Sequence, residues 1–269
     1  GQPTFDQVIR GYNTLQRHRV DTNVLTVVNR LNGSQPIRTY RFLRDQLGAQ
    51  FVQFIPVVER TSVDGLLSLA GPPKPRVVEP SGHVTEWSVL PDQYGQFLVE
   101  VYDEWVRRDV GRVFVQLFDV CLNVWSGRPS TLCWFGKTCG TALAIEHNGD
   151  VYACDHFVYP EFKLGNLLER PLEKMARSRE QNAFGQAKAA SLPQYCQKCE
   201  VRFMCNGECP KRRFLLTPDG EPGLNYLCEA YKRFFRHVDP SMRKMAELVR
   251  NRRPAADIMN DALLKPTNP

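Results

Sequence analysis

The residues in this sequence best suited to chemistry are its cysteines. Eight of the nine lie between residues 133 and 228, in an upstream group of three and a downstream group of five. In chain order they are Cys133, Cys139 and Cys154, then Cys196, Cys199, Cys205, Cys209 and Cys228. Eight thiols divide into two sites of four, the number that saturates a tetrahedral zinc ion or the corners of an iron-sulfur cube. Cys121 is left over.

The spacing of the cysteines favours metal ligands over a disulfide framework, but it leaves the metal open. Cys196 and Cys199 have the Cys-x-x-Cys spacing of a metal knuckle, and the number of cysteines is odd. A reducing compartment also keeps thiols free. Zinc and iron-sulfur sites both place thiolates on tight loops, because neighbouring ligands must converge without stretching the backbone. Zinc, iron-sulfur clusters and, in a secreted protein, disulfides therefore all remain open.

The composition indicates a folded protein and gives little support to a nucleic-acid or membrane partner. Hydrophobic residues make up 42% of the 269 residues, enough for a substantial core. The formal net charge of +6 comes from dispersed basic residues, so we expect no nucleic-acid partner. We also expect no membrane partner, because no apolar run reaches the roughly 20 residues of a membrane helix. We find no signal-peptide pattern and expect a cytoplasmic protein.

Helix and strand patterns alternate in the first part of the chain. Residues 5–18 carry an apolar face at helical spacing, and the apolar runs 23–28 and 51–58 predict buried parallel strands. Pro36 is well placed as the first residue of a helix between these strands. This order predicts an α/β architecture with right-handed crossovers.

The αβ pattern continues after an interruption. Residues 61–90, which contain several prolines and glycines, are interpreted as a lid over one face of the sheet. A helix from Pro91 and a strand over 113–118 follow. Because two or three αβ units do not close a sheet, we expect the chain to be a fragment whose first strands lie upstream.

The cysteine-rich part has a different pattern of short strands and turns. Asn148-Gly149 lies between two β-rich runs and predicts a tight hairpin, with Cys154 on its second strand. Helices are predicted over 171–188 and over 226–238, the second with Cys228 near its start. A short helix and a frayed tail are expected at the end of the chain.

The order and spacing of the eight cysteines resemble the SPASM domain of radical S-adenosylmethionine enzymes. Within this part, the segments from Gly149 to Asp155 and from Leu164 to Leu167 resemble the anaerobic sulfatase-maturating enzymes. The resemblance implies an α/β fold, the C-terminal half of a partial (β/α) TIM-like barrel followed by a small cysteine-rich SPASM domain. The expected divisions are 1–127 for the barrel, 128–240 for the SPASM domain and 241–269 for a C-terminal helix and tail.

The resemblance also implies that the chain binds two auxiliary 4Fe-4S clusters whose ligands interleave in sequence. The residues that match the first ligand set are Cys133, Cys139, Cys154 and Cys209. The residues that match the second ligand set are Cys196, Cys199, Cys205 and Cys228. Spacing alone does not assign these sets.

Two further residues match functional positions of the family. Asp155 matches its proposed proton acceptor, and a carboxylate suits that role because oxidation of a cysteine or serine to an aldehyde releases a proton from sulfur or oxygen. From the residues alone, an aspartate that caps backbone amides in a turn is the alternative. Val58 matches a position that contacts the adenine of S-adenosylmethionine, although an apolar strand residue is otherwise expected in the core.

The resemblance implies that the intact enzyme oxidises a cysteine or serine of a sulfatase to formylglycine. It would do so as a monomer, with S-adenosylmethionine, a third 4Fe-4S cluster and an electron donor such as flavodoxin or ferredoxin. The Cys-x3-Cys-x2-Cys motif that binds the third cluster does not occur in this sequence. We therefore expect the chain alone to be inactive. The alternatives are another SPASM maturase, of the thioether or quinone-cofactor type, and a zinc-stabilised binding module.

Overall fold

The first part of the molecule is built on a three-stranded parallel sheet. A computed structural model of the protein describes residues 2–61 and 84–261. The strands, in the spatial order β1-β2-β3, are Val24–Val28, Phe51–Pro56 and Phe114–Val115. Both neighbouring pairs are parallel, so the carboxyl ends of the strands lie at one edge of the sheet. That edge is where open α/β sheets bind ligands.

Four helices accompany this sheet. Their bounds are α1 Phe5–Arg17, α2 Pro36–Arg41, α3 Pro91–Arg108 and α4 Gln116–Trp125. Both α2 and α3 begin with proline, whose fixed φ and missing N–H suit the first turn of a helix. The predicted order of helices and strands up to β2 and the predicted helix from Pro91 are confirmed. Within the described parts of the chain, no helix is long and apolar enough to span a bilayer.

The strand predicted over 113–118 was mostly wrong. Only Phe114–Val115 is extended, and the chain enters α4 at Gln116. The buried residues Leu117, Phe118 and Cys121 recur at helical spacing and face the core. A short apolar run fits a buried strand or a buried helix equally well, and here packing of the helical face decided the outcome.

The predicted lid over 61–90 lies mostly outside the described residues, which resume at Val84. Its two flanks meet beyond the end of β2, where Arg60 forms a β-bridge with Val84. The Ser88 hydroxyl accepts a hydrogen bond of 2.9 Å from the Glu59 backbone N–H. Both flanks are therefore held close to the carboxyl edge of the sheet.

The cysteine-rich part contains two small antiparallel sheets and five helices. The strands are β4 Ala144–Ile145, β5 Asp150–Tyr152, β6 Lys163–Asn166, β7 Leu215–Leu216 and β8 Pro222–Leu224. The helices are α5 Leu172–Ala176, α6 Arg179–Ala190, α7 Gln194–Gln197, α8 Arg202–Cys205 and α9 Cys228–Arg250. The predicted hairpin is confirmed, because β4 and β5 pair around a left-handed Gly149 with φ of 86°.

Three predicted details of this part differ in the structure. Cys154 lies two residues beyond β5 rather than on it, because the chain turns there into a 3-10 helix over Asp155–Phe157. The helix predicted over 171–188 is two helices, separated where the Ser178 hydroxyl accepts the Gln181 N–H and caps α6. The helix predicted over 226–238 extends to Arg250 and crosses residue 240, where the sequence suggested a division.

Helix α9 joins the two parts of the molecule. Its buried aromatic residues Phe234 and Phe235 pack against α3 and α4, with the Phe234 ring 5.6 Å from Phe118 and 6.0 Å from Tyr102. Truncation of such a ring to alanine typically costs about 3–5 kcal/mol. Because α9 begins at Cys228, the same helix carries a cysteine of the downstream group and the core of the α/β part.

Gly95 sets the distance between α3 and α9. A Cβ at this position would lie 3.0 Å from the backbone Cα of Ala230. We expect Gly95→Val to lower the free energy of unfolding by about 1–3 kcal/mol through overpacking, measured by urea denaturation. The control is Gly11→Val on α1, where a Cβ would meet no described atom within 4 Å. Equal losses for the two variants would contradict this close approach.

Candidate metal centre

All nine cysteines are free thiols, and short turns carry the ones predicted as ligands. For the first set, Cys133 opens a 3-10 turn, Cys139 lies in the loop before β4, and Cys154 follows β5. Cys209 precedes a further 3-10 turn, Pro210–Arg212. The first set therefore draws its members from four separate segments.

The second set is more local. Cys196 lies on α7, Cys205 ends α8 and Cys228 begins α9. The backbone N–H of Cys199 donates to the Cys196 carbonyl at 3.3 Å, a one-turn knuckle that points neighbouring thiols to the same side. The sequence spacing thus forms tight loops here, as thiolate ligation requires.

The thiols of the second set lie near one another. Burial raises the pKa of Cys228 to about 12, and the Cys196 and Cys199 thiols contribute to the shift. Burial, followed by the neighbouring Cys228 thiol, raises the pKa of Cys205 well above its ordinary value. Each of these effects relates two members of the predicted second set, so these thiols are neighbours in the structure.

The first set is brought together in pairs. Burial raises the pKa of Cys154 to about 12, and the Cys209 thiol contributes to this shift. In the same way burial raises the pKa of Cys139, and the Cys133 thiol adds to the shift. His156 bridges the first pair, because its backbone N–H donates to Cys154 Sγ at 3.4 Å and its Nδ1 lies 3.3 Å from Cys209 Sγ.

One face of α6 holds the loops of the first set, and sequence reasoning missed it. Gln181 Nε2 donates to the carbonyls of Gly140 and Ala153, which neighbour Cys139 and Cys154. The next two members of this face, Gly185 and Lys188, contact Cys139 and the turn that begins at Cys133. All three α6 residues are buried. Their spacing of four and then three residues places them on one side of the helix, but polar residue types at this spacing do not indicate a buried face.

The two sets are connected by a turn of unusual backbone. Asn206, Gly207 and Glu208 lie between Cys205 and Cys209, and all three have left-handed φ angles, of 46°, 72° and 51°. A left-handed conformation costs about 1–2 kcal/mol for an ordinary L-residue. The Arg213 guanidinium donates to the carbonyl oxygens of all three residues, at 2.8–3.0 Å. This clamp holds the passage from one cysteine set to the other.

A second arginine ties the first set to the parallel sheet. Arg212 Nη2 donates to the carbonyl of Pro56, the last residue of β2, and Nη1 lies 2.7 Å from Glu208 Oε1. Asn225 Nδ2 donates to the other carboxylate oxygen of Glu208 at 2.6 Å. Because Arg212 follows Cys209 by three residues, the carboxyl edge of the sheet faces the first set.

The two remaining predicted residues lie at this junction. The exposed Asp155 carboxylate is 3.1 Å from Cys154 Sγ, so it lies beside the first set and reaches solvent. Val58 is half-buried, follows the end of β2 by two residues and packs against the core. The structure therefore places Asp155 at the cysteines and Val58 at the carboxyl edge of the sheet.

The chemistry of the donors fits iron-sulfur clusters. Among residues 2–61 and 84–261, no three Cys, His, Asp or Glu side chains are arranged to hold a single metal ion. A 4Fe-4S cluster is bound by four thiolates at its corners, and each predicted set consists of four cysteines, those of the first set approaching one another in pairs. Because thiolates are the ligands, cluster binding must displace the thiol protons.

Comparison with known proteins shows which proteins this chain is similar to. Residues 133–200 match the SPASM iron-sulfur cluster-binding domain. A serine-type anaerobic sulfatase-maturating enzyme of Bacteroides thetaiotaomicron is 44% identical over 263 residues, which cover 96% of this chain and 62% of the relative. The chain is related to the anaerobic sulfatase-maturating enzymes. A serine-type enzyme of Klebsiella pneumoniae is 31% identical, and the match covers 88% of this chain and 53% of that enzyme. A cysteine-type enzyme of Clostridium perfringens is 25% identical, and the match covers 93% of this chain and 63% of that enzyme.

Solved structures show the same fold. Native anSMEcpe with bound AdoMet superposes with a TM-score of 0.73 at 25% identity, covering 91% of this chain and 62% of that chain. The complex of native anSMEcpe with AdoMet and the Kp18Cys peptide gives the same values. The predicted α/β fold with a partial barrel and a SPASM domain is confirmed. The chain spans about three fifths of the length of these two structures and of the Bacteroides relative.

Gly185 is the closest contact between α6 and the first set. A Cβ at this position would lie 2.3 Å from the Cys139 carbonyl oxygen. We therefore expect Gly185→Ala to displace the Cys139 loop and to lower the iron and sulfide bound per chain by about half, since four of eight thiolate ligands belong to that set. Gln186→Ala, at an exposed position of the same helix, is the control. Undiminished iron in Gly185→Ala would show that this contact does not support the site.

Proposed function

We propose that this chain serves in the oxidation of a cysteine or serine of a sulfatase to formylglycine, the reaction of an anaerobic sulfatase-maturating enzyme. The observation that carries the proposal is the position of Asp155. Its carboxylate lies 3.1 Å from Cys154 Sγ of the first set, yet the residue is exposed and accessible to a substrate side chain. A carboxylate in this position can accept the proton that the substrate thiol or hydroxyl loses.

In the proposed reaction, the residues of this chain bind, orient and accept a proton. Cys133, Cys139, Cys154 and Cys209 would hold one auxiliary 4Fe-4S cluster. Cys196, Cys199, Cys205 and Cys228 would hold the other. Val58, at the carboxyl edge of the sheet, would contact the adenine of S-adenosylmethionine. When bound, these cofactors supply hydrogen abstraction from the substrate Cβ and an acceptor for the surplus electron.

The similarity to relatives supports a polypeptide substrate. Native anSMEcpe has been solved with the Kp18Cys peptide, and its fold matches this chain over 91% of its length. Identity is higher to the serine-type enzymes, at 44% and 31%, than to a cysteine-type enzyme at 25%, so we propose serine as the target residue. The complete enzyme would act as a cytoplasmic monomer and receive electrons from a donor such as flavodoxin or ferredoxin.

The number and type of clusters can be measured directly. After anaerobic purification and reconstitution, we expect about eight iron and about eight sulfide ions per chain, because two sets of four thiols would each hold a cube. Metal analysis and acid-labile sulfide are the measurements. A chain that holds two zinc ions and no sulfide would instead be a metal-stabilised binding module, and the proposed function would be wrong.

The role of Asp155 is tested in the complete enzyme. We expect Asp155→Asn to keep the iron content but to lower the rate of aldehyde formation on a sulfatase peptide by about 100-fold or more, since the amide cannot accept the proton. Mass spectrometry of the peptide gives the rate. Glu161→Gln, which removes an exposed carboxylate six residues away, is the control. Normal turnover of Asp155→Asn would reject this role, and a crosslinked peptide product would indicate a thioether or quinone-cofactor maturase.

A further inference from the structure

Two buried cations lie between the cysteine sets and have neutral hydrogen-bond partners. Lys188 on α6 has a relative exposure of 1%, and Arg213, which clamps the turn between the sets, has 7%. The Arg213 side chain binds the backbone of Lys188, since Arg213 Nη1 donates to the Lys188 carbonyl at 2.7 Å. Buried cations are normally paired with an anion, because their charged form loses its hydration. We therefore ask which negatively charged group lies near Lys188 and Arg213.

Lys188 donates only to carbonyl oxygens within the described residues. Its Nζ lies 2.7 Å from the Cys133 carbonyl and 2.7 Å from the Trp134 carbonyl. These bonds satisfy donors of the ammonium group but do not neutralise its charge. They also fix the ammonium group against the backbone of a predicted ligand of the first cluster.

The buried carboxylate nearest to these cations is already engaged. Both oxygens of Glu208 are occupied, one by Arg212 at 2.7 Å and the other by Asn225 at 2.6 Å. Arg212 and Arg213 are neighbours in sequence, but Arg212 is ion-paired, whereas the acceptors of Arg213 are four carbonyl oxygens and the Ser191 hydroxyl. Within the described residues, Glu208 therefore forms its direct ion pair with Arg212, and both of its oxygens are occupied by partners other than Lys188 and Arg213.

The thiols are the groups that can supply the missing negative charge. Burial, followed by the nearby Arg213, lowers the pKa of Lys188, and the Cys139 thiol, Glu208 and the Cys209 thiol act in the opposite direction. Burial also lowers the pKa of Arg213, and Cys196, of the second set, is the strongest opposing group. The hydrogen bonds of Lys188 to the turn that begins at Cys133 place its ammonium group at the first set, whereas those of Arg213 place its guanidinium group at the turn between the sets.

We propose that Lys188 is the buried counter-charge of the first cluster and raises its reduction potential. The inference rests on the cluster sites of the proposed function. A cluster held by four thiolates is negative, and its reduction adds one further negative charge. A fixed cation in a water-poor site stabilises the reduced form more than the oxidised form, because the attraction grows with the added charge. Lys188 thereby favours transfer of an electron to the first cluster.

The test compares three lysine variants of the chain loaded with iron and sulfide. Lys188→Gln removes the charge but keeps amide donors for the two carbonyls, and Lys188→Arg keeps the charge. Lys174→Gln removes the charge of an exposed lysine on α5 and is the control. Potentiometric titration followed by electron paramagnetic resonance gives the reduced and oxidised populations, and iron analysis gives the loading.

We expect Lys188→Gln to retain its iron and to lower the ratio of reduced to oxidised first cluster tenfold at a fixed potential. For a one-electron couple this is a shift of 59 mV to lower potential. Lys188→Arg and Lys174→Gln are expected to titrate like the unmodified chain. A potential unchanged in fully loaded Lys188→Gln would overturn the inference and leave the cluster sites standing.

Loss of the first cluster also gives a decisive result. If Lys188→Gln loses that cluster and Lys188→Arg keeps it, the charge is required and the inference stands in this stronger form. If both variants lose it, Lys188 acts through its shape and its hydrogen bonds, and the inference is wrong. An unmodified chain that binds no iron and sulfide would overturn both the proposed clusters and this role.

Discussion

The arrangement of the cysteine-rich part depends on the contact between Arg213 and the turn 206–208. Cys205 and Cys209 are only four residues apart in sequence but belong to different predicted sets, so the chain must cross from one site to the other within this turn. It does so in a left-handed conformation that is uncommon for glutamate, although asparagine and glycine adopt it more readily. Arg213 compensates by binding the carbonyls of all three residues. The clamp therefore acts on the segment that carries one predicted member of each set.

The six residues from Glu208 to Arg213 make contacts with both cysteine sets and with the parallel sheet. Cys209 is a predicted ligand, Arg212 connects it to the end of β2, and Arg213 closes the preceding turn. Glu208 neutralises one arginine only. The short 3-10 turn and the residue after it therefore carry two arginines with different contacts. Arg212 connects the first set to the carboxyl edge of the sheet, and Arg213 binds the turn between the two sets. Helix α9 provides the other connection, since it carries Cys228 at one end and packs its aromatic residues into the α/β core.

The sequence predicted the elements whose signals are local and failed where packing decides. The hairpin at Asn148-Gly149 and the strands up to Pro56 follow from turn chemistry and apolar runs. The strand over 113–118 failed because an apolar run is ambiguous without its partners. The cysteine sets were separated by resemblance, since spacing cannot show that a chain crosses between two sites. The buried face of α6 was missed because glutamine and lysine are usually exposed, and only the packed structure shows what they contact.

The buried face of α6 is polar because the loops packed against it need hydrogen-bond donors. In the loops of the first set, the carbonyl oxygens of Trp134, Gly140 and Ala153 accept hydrogen bonds from α6 side chains, and an aliphatic helix face would leave these acceptors without those donors. Gln181 and Lys188 provide the donors, and the missing side chain of Gly185 lets the Cys139 carbonyl approach. Lysine rather than a second glutamine at the last position adds a charge as well as donors. Hydrogen bonding alone does not require that charge, whereas a site filled by a negative cluster would use it.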